Sequence, residues 1–156
     1  MRNKRDVVII IAILALACCF VSKAAYASGT ALDPLGLNNI NLGGGALNIY
    51  TPGVEGGTGL NNIGLLVRTW GKVTFVDTTA KFFYIDDGSG LLDGSGYIGV
   101  RVSYNDLTTP PNPNVITPPI AGISFVAVTG ISSTIKINEK IRPMLRPRRQ
   151  SDIQQF

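Results

Sequence analysis

Histidine is absent from the 156 residues, which removes imidazole both as an acid/base catalyst and as a metal ligand. Cysteine occurs only as Cys18 and Cys19, inside the one long apolar run of the chain. That run, Val7 to Val21, follows Arg2, Lys4 and Arg5 and precedes the small-x-small triplet Ala25-Tyr26-Ala27. Basic start, apolar middle and small-residue cleavage site are the three parts of a secretory signal, expected to cover residues 1–27. A retained anchor is the alternative, although the run is shorter than the ~20 residues a spanning helix needs. A lipoprotein signal is a third reading, with Ala15 a poor match three residues before Cys18. Cleavage after Ala27 would leave no thiol, disulfide or cysteine metal site at an oxidising destination, and no membrane span in the mature chain.

Cleavage also removes most of the charge imbalance. Arg2, Lys4, Arg5 and Lys23 would leave with Asp6, taking the formal net charge from +4 to about +1. The mature chain then has no general electrostatic attraction for nucleic acid or an acidic membrane. No nucleophile, base and orienting group converge anywhere in the sequence, so an enzyme is not expected and no cofactor is implied. The run Gly43-Gly44-Gly45 lacks the Lys-Ser/Thr and the following helix of a phosphate-binding loop.

What is present is alternation. Residues 65–102 read as three strands folding back on one another. Val67, Gly71 and Val73 alternate with Arg68, Trp70 and Lys72, the period of a half-buried strand. Gly71 in mid-strand predicts a bulge or bend. Asp77-Thr78-Thr79-Ala80 is a turn. The next strand sets Phe83 and Ile85 against Phe82 and Tyr84, and the third sets Ile98, Val100 and Val102 against Tyr97, Gly99 and Arg101. Five prolines between Asn105 and Pro119 predict an extended loop. A fourth strand follows Gly122, and a fifth is expected from Ile135-Lys136-Ile137 and residues 140–145, interrupted at Asn138-Glu139. The expected core is Val67, Val73, Phe83, Ile85, Val100, Val102, Val126 and Val128.

Before the strands, residues 28–64 are rich in Gly and Asn, and Gly36-Leu37-Asn38-Asn39-Ile40 recurs as Gly59-Leu60-Asn61-Asn62-Ile63. The echo predicts two similar turns, with Asn and Gly supplying positive-φ positions. The segment reads as an ordered strap on the barrel or, failing that, a disordered linker. Residues 146–156 read as a short basic tail.

A strand with Trp70-Gly71-Lys72-Val73-Thr74, a second with Phe83-Tyr84-Ile85 running into Asp86-Asp87-Gly88-Ser89-Gly90, and then Gly122 before Val126-Ala127-Val128-Thr129-Gly130-Ile131 together resemble an OB-fold over residues 65–145. The chain is similar to OB modules of the anticodon-binding and exonuclease type, and resembles secreted bacterial OB-like modules of unassigned function. The resemblance implies an all-β, five-stranded Greek-key barrel with an irregular strap. It departs where OB-folds often carry a helix between strands three and four, because a proline loop stands there. A barrel that closes its own edges explains how a small chain without disulfides is stable.

The candidate ligand face is outward: Arg68, Trp70 and Lys72 with Phe82, Tyr84 and Arg101. Aromatic platforms between basic groups are how OB barrels hold single strands or oligosaccharides. The competing reading has the strap covering these aromatics as satellite core. Nucleic acid is disfavoured, because Asp77, Asp86, Asp87, Asp93 and Asp106 outnumber Arg68, Lys72, Lys81 and Arg101 in the barrel. The expected partner is a protein or glycan at the cell envelope. Asp86, Asp87 and Asp93, in two Asp-Gly-Ser-Gly-type turns, are weak calcium candidates without an alternating ligand loop. Export predicts that the secreted protein begins at Ser28. Intact-mass analysis checks it, and a lipidated Cys18 or retention of residues 1–27 would refute it.

Overall fold

Strand β2, Leu66–Asp77, is 12 residues long and forms the spine of the molecule. The computed structural model describes residues 32–105 and 115–156. The expected signal segment, the two cysteines and the centre of the proline loop lie outside the described residues. The body discussed below is Asp33–Phe156. Along β2, Val67, Thr69, Gly71 and Val73 are buried, while Trp70, Lys72 and Thr74 face solvent. The alternation expected of the sequence is therefore the alternation observed.

The N-terminal half of β2 pairs antiparallel with β5 (Phe125–Ile137), and its C-terminal half with β3 (Phe82–Asp86). Antiparallel β4 (Val100–Ser103) continues from β3, and β6 (Lys140–Arg146) pairs antiparallel with β5. The circuit closes through β4 and β6, which run parallel over two residue pairs, Arg101 with Met144 and Val102 with Leu145. Two short strands extend this ring into a seven-stranded mixed sheet. β1 (Leu35–Gly36) lies parallel to β2, and β7 (Ile153–Gln155) antiparallel to β5. The residues read as a basic tail thus include a strand, and one of the cations there is neutralised: Arg148 donates to Asp152 from its amide, Nε and Nη2 over 2.9–3.1 Å.

All eight residues expected in the core are buried, and all eight join one cluster with Leu42, Tyr104, Ile116, Leu145 and Ile153. Three sequence readings are corrected. The bulge is at Thr74 rather than Gly71, since Val73 pairs with Ile85 and Phe75 already with Tyr84. That extra residue turns Phe75 outward and Val76 toward the core. Residues 135–137 belong to β5, because Asn138 (φ 48°) and Glu139 (φ 64°) make the two-residue hairpin turn into β6. The third strand is shorter than expected; Ile98 only bridges to Leu92 before β4 begins at Val100.

The strap is ordered and pinned by side-chain amides. Asn39, in a one-turn 3₁₀ helix (Asn39–Asn41), donates Nδ2 to the Ile85 carbonyl at 2.8 Å and accepts the Thr69 hydroxyl at 2.6 Å. Asn62 accepts the Ser132 hydroxyl and the Gly43 amide at 2.8 and 2.9 Å, and donates to the Asn41 carbonyl. Both asparagines are buried. The repeated motif therefore does not place asparagine at positive φ, where only Lys81, Asn138 and Glu139 are found among the described non-glycine residues. Its second Asn is instead a buried hydrogen-bonding plug, which satisfies one hydroxyl on β2 and one on β5.

Ile85 is fully buried between these pins and the strand cluster. Ile85→Ala is expected to cost about 2–5 kcal/mol through lost transfer energy and a residual cavity. Urea unfolding, read as a lowered midpoint at unchanged slope, checks it.

Candidate functional site

The structure separates the residues expected on one ligand face. Tyr84 and Phe82 are buried, whereas Trp70 is 47% exposed. Tyr84 is covered by the β3–β4 connection, residues 87–99, and Phe82 by Phe75 and Arg101. This connection folds back over the outer wall, where the Ile98 carbonyl accepts the Thr74 hydroxyl at 2.6 Å and Tyr97 stacks on Phe75 at 3.7 Å. Tyr97 also meets Tyr84, with centroids 5.3 Å apart, and Phe82 stands edge-on to Tyr84. Asn138 holds the far side of the connection by donating to the Gly94 carbonyl at 2.9 Å.

Asp93 sits at the centre of this cover and is buried. Its Oδ2 accepts the Tyr84 hydroxyl at 2.7 Å and its Oδ1 the Ser95 amide at 2.9 Å. Burial, reinforced by the hydrogen bond to the Asp93 carboxylate, pushes the Tyr84 phenol up to about 12. Arg101 lays its guanidinium 3.5 Å above the centre of the Phe82 ring. Its Nε is buried with no hydrogen-bond partner, so the ring quadrupole supplies part of the lost solvation. Phe82, Tyr84 and Arg101 are thereby spent on packing.

The calcium candidates are spent on turns. Asp86 Oδ1 accepts the Gly90 amide at 3.0 Å. Asp87 accepts the Ser89 amide on one oxygen and the Asn39 amide, at 2.8 Å, on the other. Burial raises the Asp87 pKa, but these donors and the Ser89 side chain outweigh it and leave the carboxyl below its ordinary value. Among the described residues, no three of His, Cys, Asp or Glu come together to hold a metal.

The remaining candidates, Arg68, Trp70 and Lys72, point outward from the half of β2 that pairs with β5. Their neighbours there were not singled out by the sequence. Trp70 stands opposite Ala127, and Lys72 opposite Phe125, which is 50% exposed. Trp70 and Phe125 are therefore diagonal neighbours on adjacent strands, a separation long aromatic side chains can span. Ala127 is too small to fill the space beside the indole. Arg68 hydrogen-bonds Gln154 of β7, and the Phe156 amide donates to the Phe125 carbonyl at 2.9 Å. The exposed Ile123 and Phe156 extend the apolar surface at the Phe125 end. Phe125 was legible as strand but not as wall, because its role depends on which strand lies beside β2.

Tyr84→Phe removes the hydroxyl that faces Asp93 and is expected to cost about 1–3 kcal/mol near neutral pH. The phenol's folded pKa lies above the unfolded value near 10, so its contribution is fully present below pH 10 and is lost as pH rises toward about 12. Wild type should lose stability more steeply than Tyr84→Phe across that window, measured by urea unfolding at stepped pH; parallel curves would refute the assignment. Among the described residues no helix is long and apolar enough to cross a membrane. In comparisons with known protein families, characterised sequences and solved structures, nothing matches this chain.

Proposed function

We propose that this protein is an exported, non-enzymatic OB-type binding module that acts at the cell surface or outside the cell, with the Trp70–Phe125 wall as its ligand surface. The order of pairings supports the OB reading. Counting from β2, the ring strands follow one another as first, second, third, fifth, fourth and back to first, with the third and fifth parallel. This order is the one a five-stranded Greek-key OB barrel is expected to have, and it supports that reading.

The observation that carries the binding reading is the half-exposed pair of aromatics on a rigid wall. A Trp and a Phe presented by paired strands lose little conformational entropy on binding, which is what makes aromatic anchors effective. The ligand favoured is a glycan or protein surface of the envelope. Single-stranded nucleic acid is the second reading, and the wall gives it only two cations. One of these, Arg68, is already bonded to Gln154, and the other, Lys72, stands opposite Asp86. Two contacts yield little counterion release.

Acrylamide should quench the single tryptophan strongly, and a panel of soluble envelope glycans and secreted partners should include a binder whose affinity falls at least tenfold in Trp70→Ala or Phe125→Ala, the scale of one lost anchor. Retained binding in both variants would remove the wall from the reading. Salt-sensitive, sub-micromolar oligonucleotide binding lost in Trp70→Ala would replace the favoured ligand with nucleic acid.

A further inference from the structure

The strap carries a second exposed apolar feature, apart from the Trp70 wall. No charged residue lies between Asp33 and Glu55. Within that stretch, residues 44–54 form a pinched loop. Its two legs approach most closely at glycine: a Cβ on Gly53 would lie 2.3 Å from the Gly44 carbonyl oxygen, and the Val54 amide donates to that same oxygen at 3.0 Å. Asn61 Nδ2 clamps the legs together by donating to the carbonyls of Gly45 and Pro52. This accounts for the glycine run, which has no phosphate-binding context.

The loop's tip is a tight turn, Asn48 bridged to Thr51, with Ile49 and Tyr50 at its apex. These two side chains are 87% and 88% exposed, and Leu47 before them is 67% exposed. Three of the turn's amides are met within it. Leu47 N–H donates to the Thr51 carbonyl, Thr51 N–H to the Asn48 carbonyl, and Tyr50 N–H to Asn48 Oδ1 at 2.8 Å. The charges beside the loop are paired off, Lys140 with Glu55 and Lys136 with Glu139.

We propose that the turn around Ile49 and Tyr50 inserts into the interfacial region of a lipid bilayer. Apolar side chains at the tip, three turn amides met internally and no charged residue within the loop itself favour leaving water for a membrane surface. A tyrosine at the apex suits the headgroup boundary, where its ring is buried and its hydroxyl stays wet. With no cation in the loop itself, the insertion rests on apolar burial and not on attraction by anionic lipid. The proposal does not depend on the Trp70 wall or on its ligand. A pocket in a protein partner is the competing occupant of the same tip.

The test uses the exported chain, after removal of residues 1–27, carrying Trp70→Phe and Tyr50→Trp, so that one indole reports from the apex. It is mixed with phosphatidylcholine vesicles, with or without bromine on the acyl chains. The expected result is a blue-shifted emission and quenching by the brominated lipid, both unchanged in raised salt. Wild type, reporting from Trp70, should show neither. In the reporter chain, Ile49→Asp should weaken the quenching about tenfold in the lipid concentration required. Ile49 and Tyr50 are solvent-exposed and Trp70 is half-exposed, so unchanged thermal melting of each variant confirms that the fold is intact. An apex indole that stays water-exposed on bound vesicles overturns the proposal, as does binding abolished by salt. Protection of that indole only by a protein fraction overturns it in favour of a partner pocket.

Discussion

The ring depends on one strand serving two neighbours. β2 pairs with β5 through Lys72 and with β3 from Lys72 onward, so the two ladders meet at a single residue. For a sheet to change partners within a strand, it must coil sharply at the change-over. Gly71 permits this, because the Asp86 backbone passes so close that a Cβ there would lie 2.5 Å from its carbonyl carbon. A second glycine does the same on the other side of β3. A Cβ at Gly99 would lie 2.0 Å from the Ile85 carbonyl oxygen, and its φ of 105° excludes most other residues. The bulge at Thr74 then resets the alternation, and this single extra residue delivers Phe75 to the outer aromatic cluster. Fold and surface are thus coupled: the coil that closes the ring also decides which aromatics the β3–β4 connection covers.

Period-two alternation made the core legible, since every strand has one face that must be dry. Val67, Phe83, Ile85, Val100 and Val126 could each be assigned from neighbours alone. The outer wall was less legible, because alternation states that Trp70 and Tyr84 leave the core but not what meets them outside. Tyr84 is buried by residues 87–99, whose Asp-Gly-Ser-Gly turns read locally as solvent-exposed punctuation. The bond from Tyr84 to Asp93, with Thr74 to the Ile98 carbonyl and Tyr97 on Phe75, shows that the connection lies on the sheet. β7 was hidden for a related reason. Gln154 and Gln155 lack the apolar pattern of a strand, and what holds them is the unpaired edge of β5.

The strap shows how a segment without periodicity can still be ordered. Leu42 contributes a fully buried side chain to the core, but most of the specificity is polar. Thr69 and Ser132 are buried hydroxyls on inward positions of β2 and β5, and each would be costly without a partner. Asn39 and Asn62 meet one each with a carbonyl oxygen and use their amide nitrogens on backbone carbonyls. The repeated Gly-Leu-Asn-Asn-Ile is consequently two copies of one solution, applied to two strands of the ring. A hydroxyl-bearing strand and its asparagine plug are complementary, so neither is interpretable alone. That is why the motif reads from sequence as a mere turn.

The two exposed apolar surfaces differ in their physics, and the difference bears on what each can recognise. The Trp70 wall stands on hydrogen-bonded strands and is bordered by Arg68, Lys72 and Gln154, so it can combine ring contact with directed polar contacts. Such a mixture suits a ligand having both an apolar face and a polar edge. The Ile49–Tyr50 tip has no charged group and keeps three of its turn amides to itself, so it has little with which to read polar detail. It favours a partner that supplies hydrophobic volume without demanding hydrogen bonds in return, as a bilayer does. In the proposed reading, the wall supplies selectivity and the tip affinity for a medium. The ring fixes the wall's geometry independently of the glycine-pinched legs that fix the tip's.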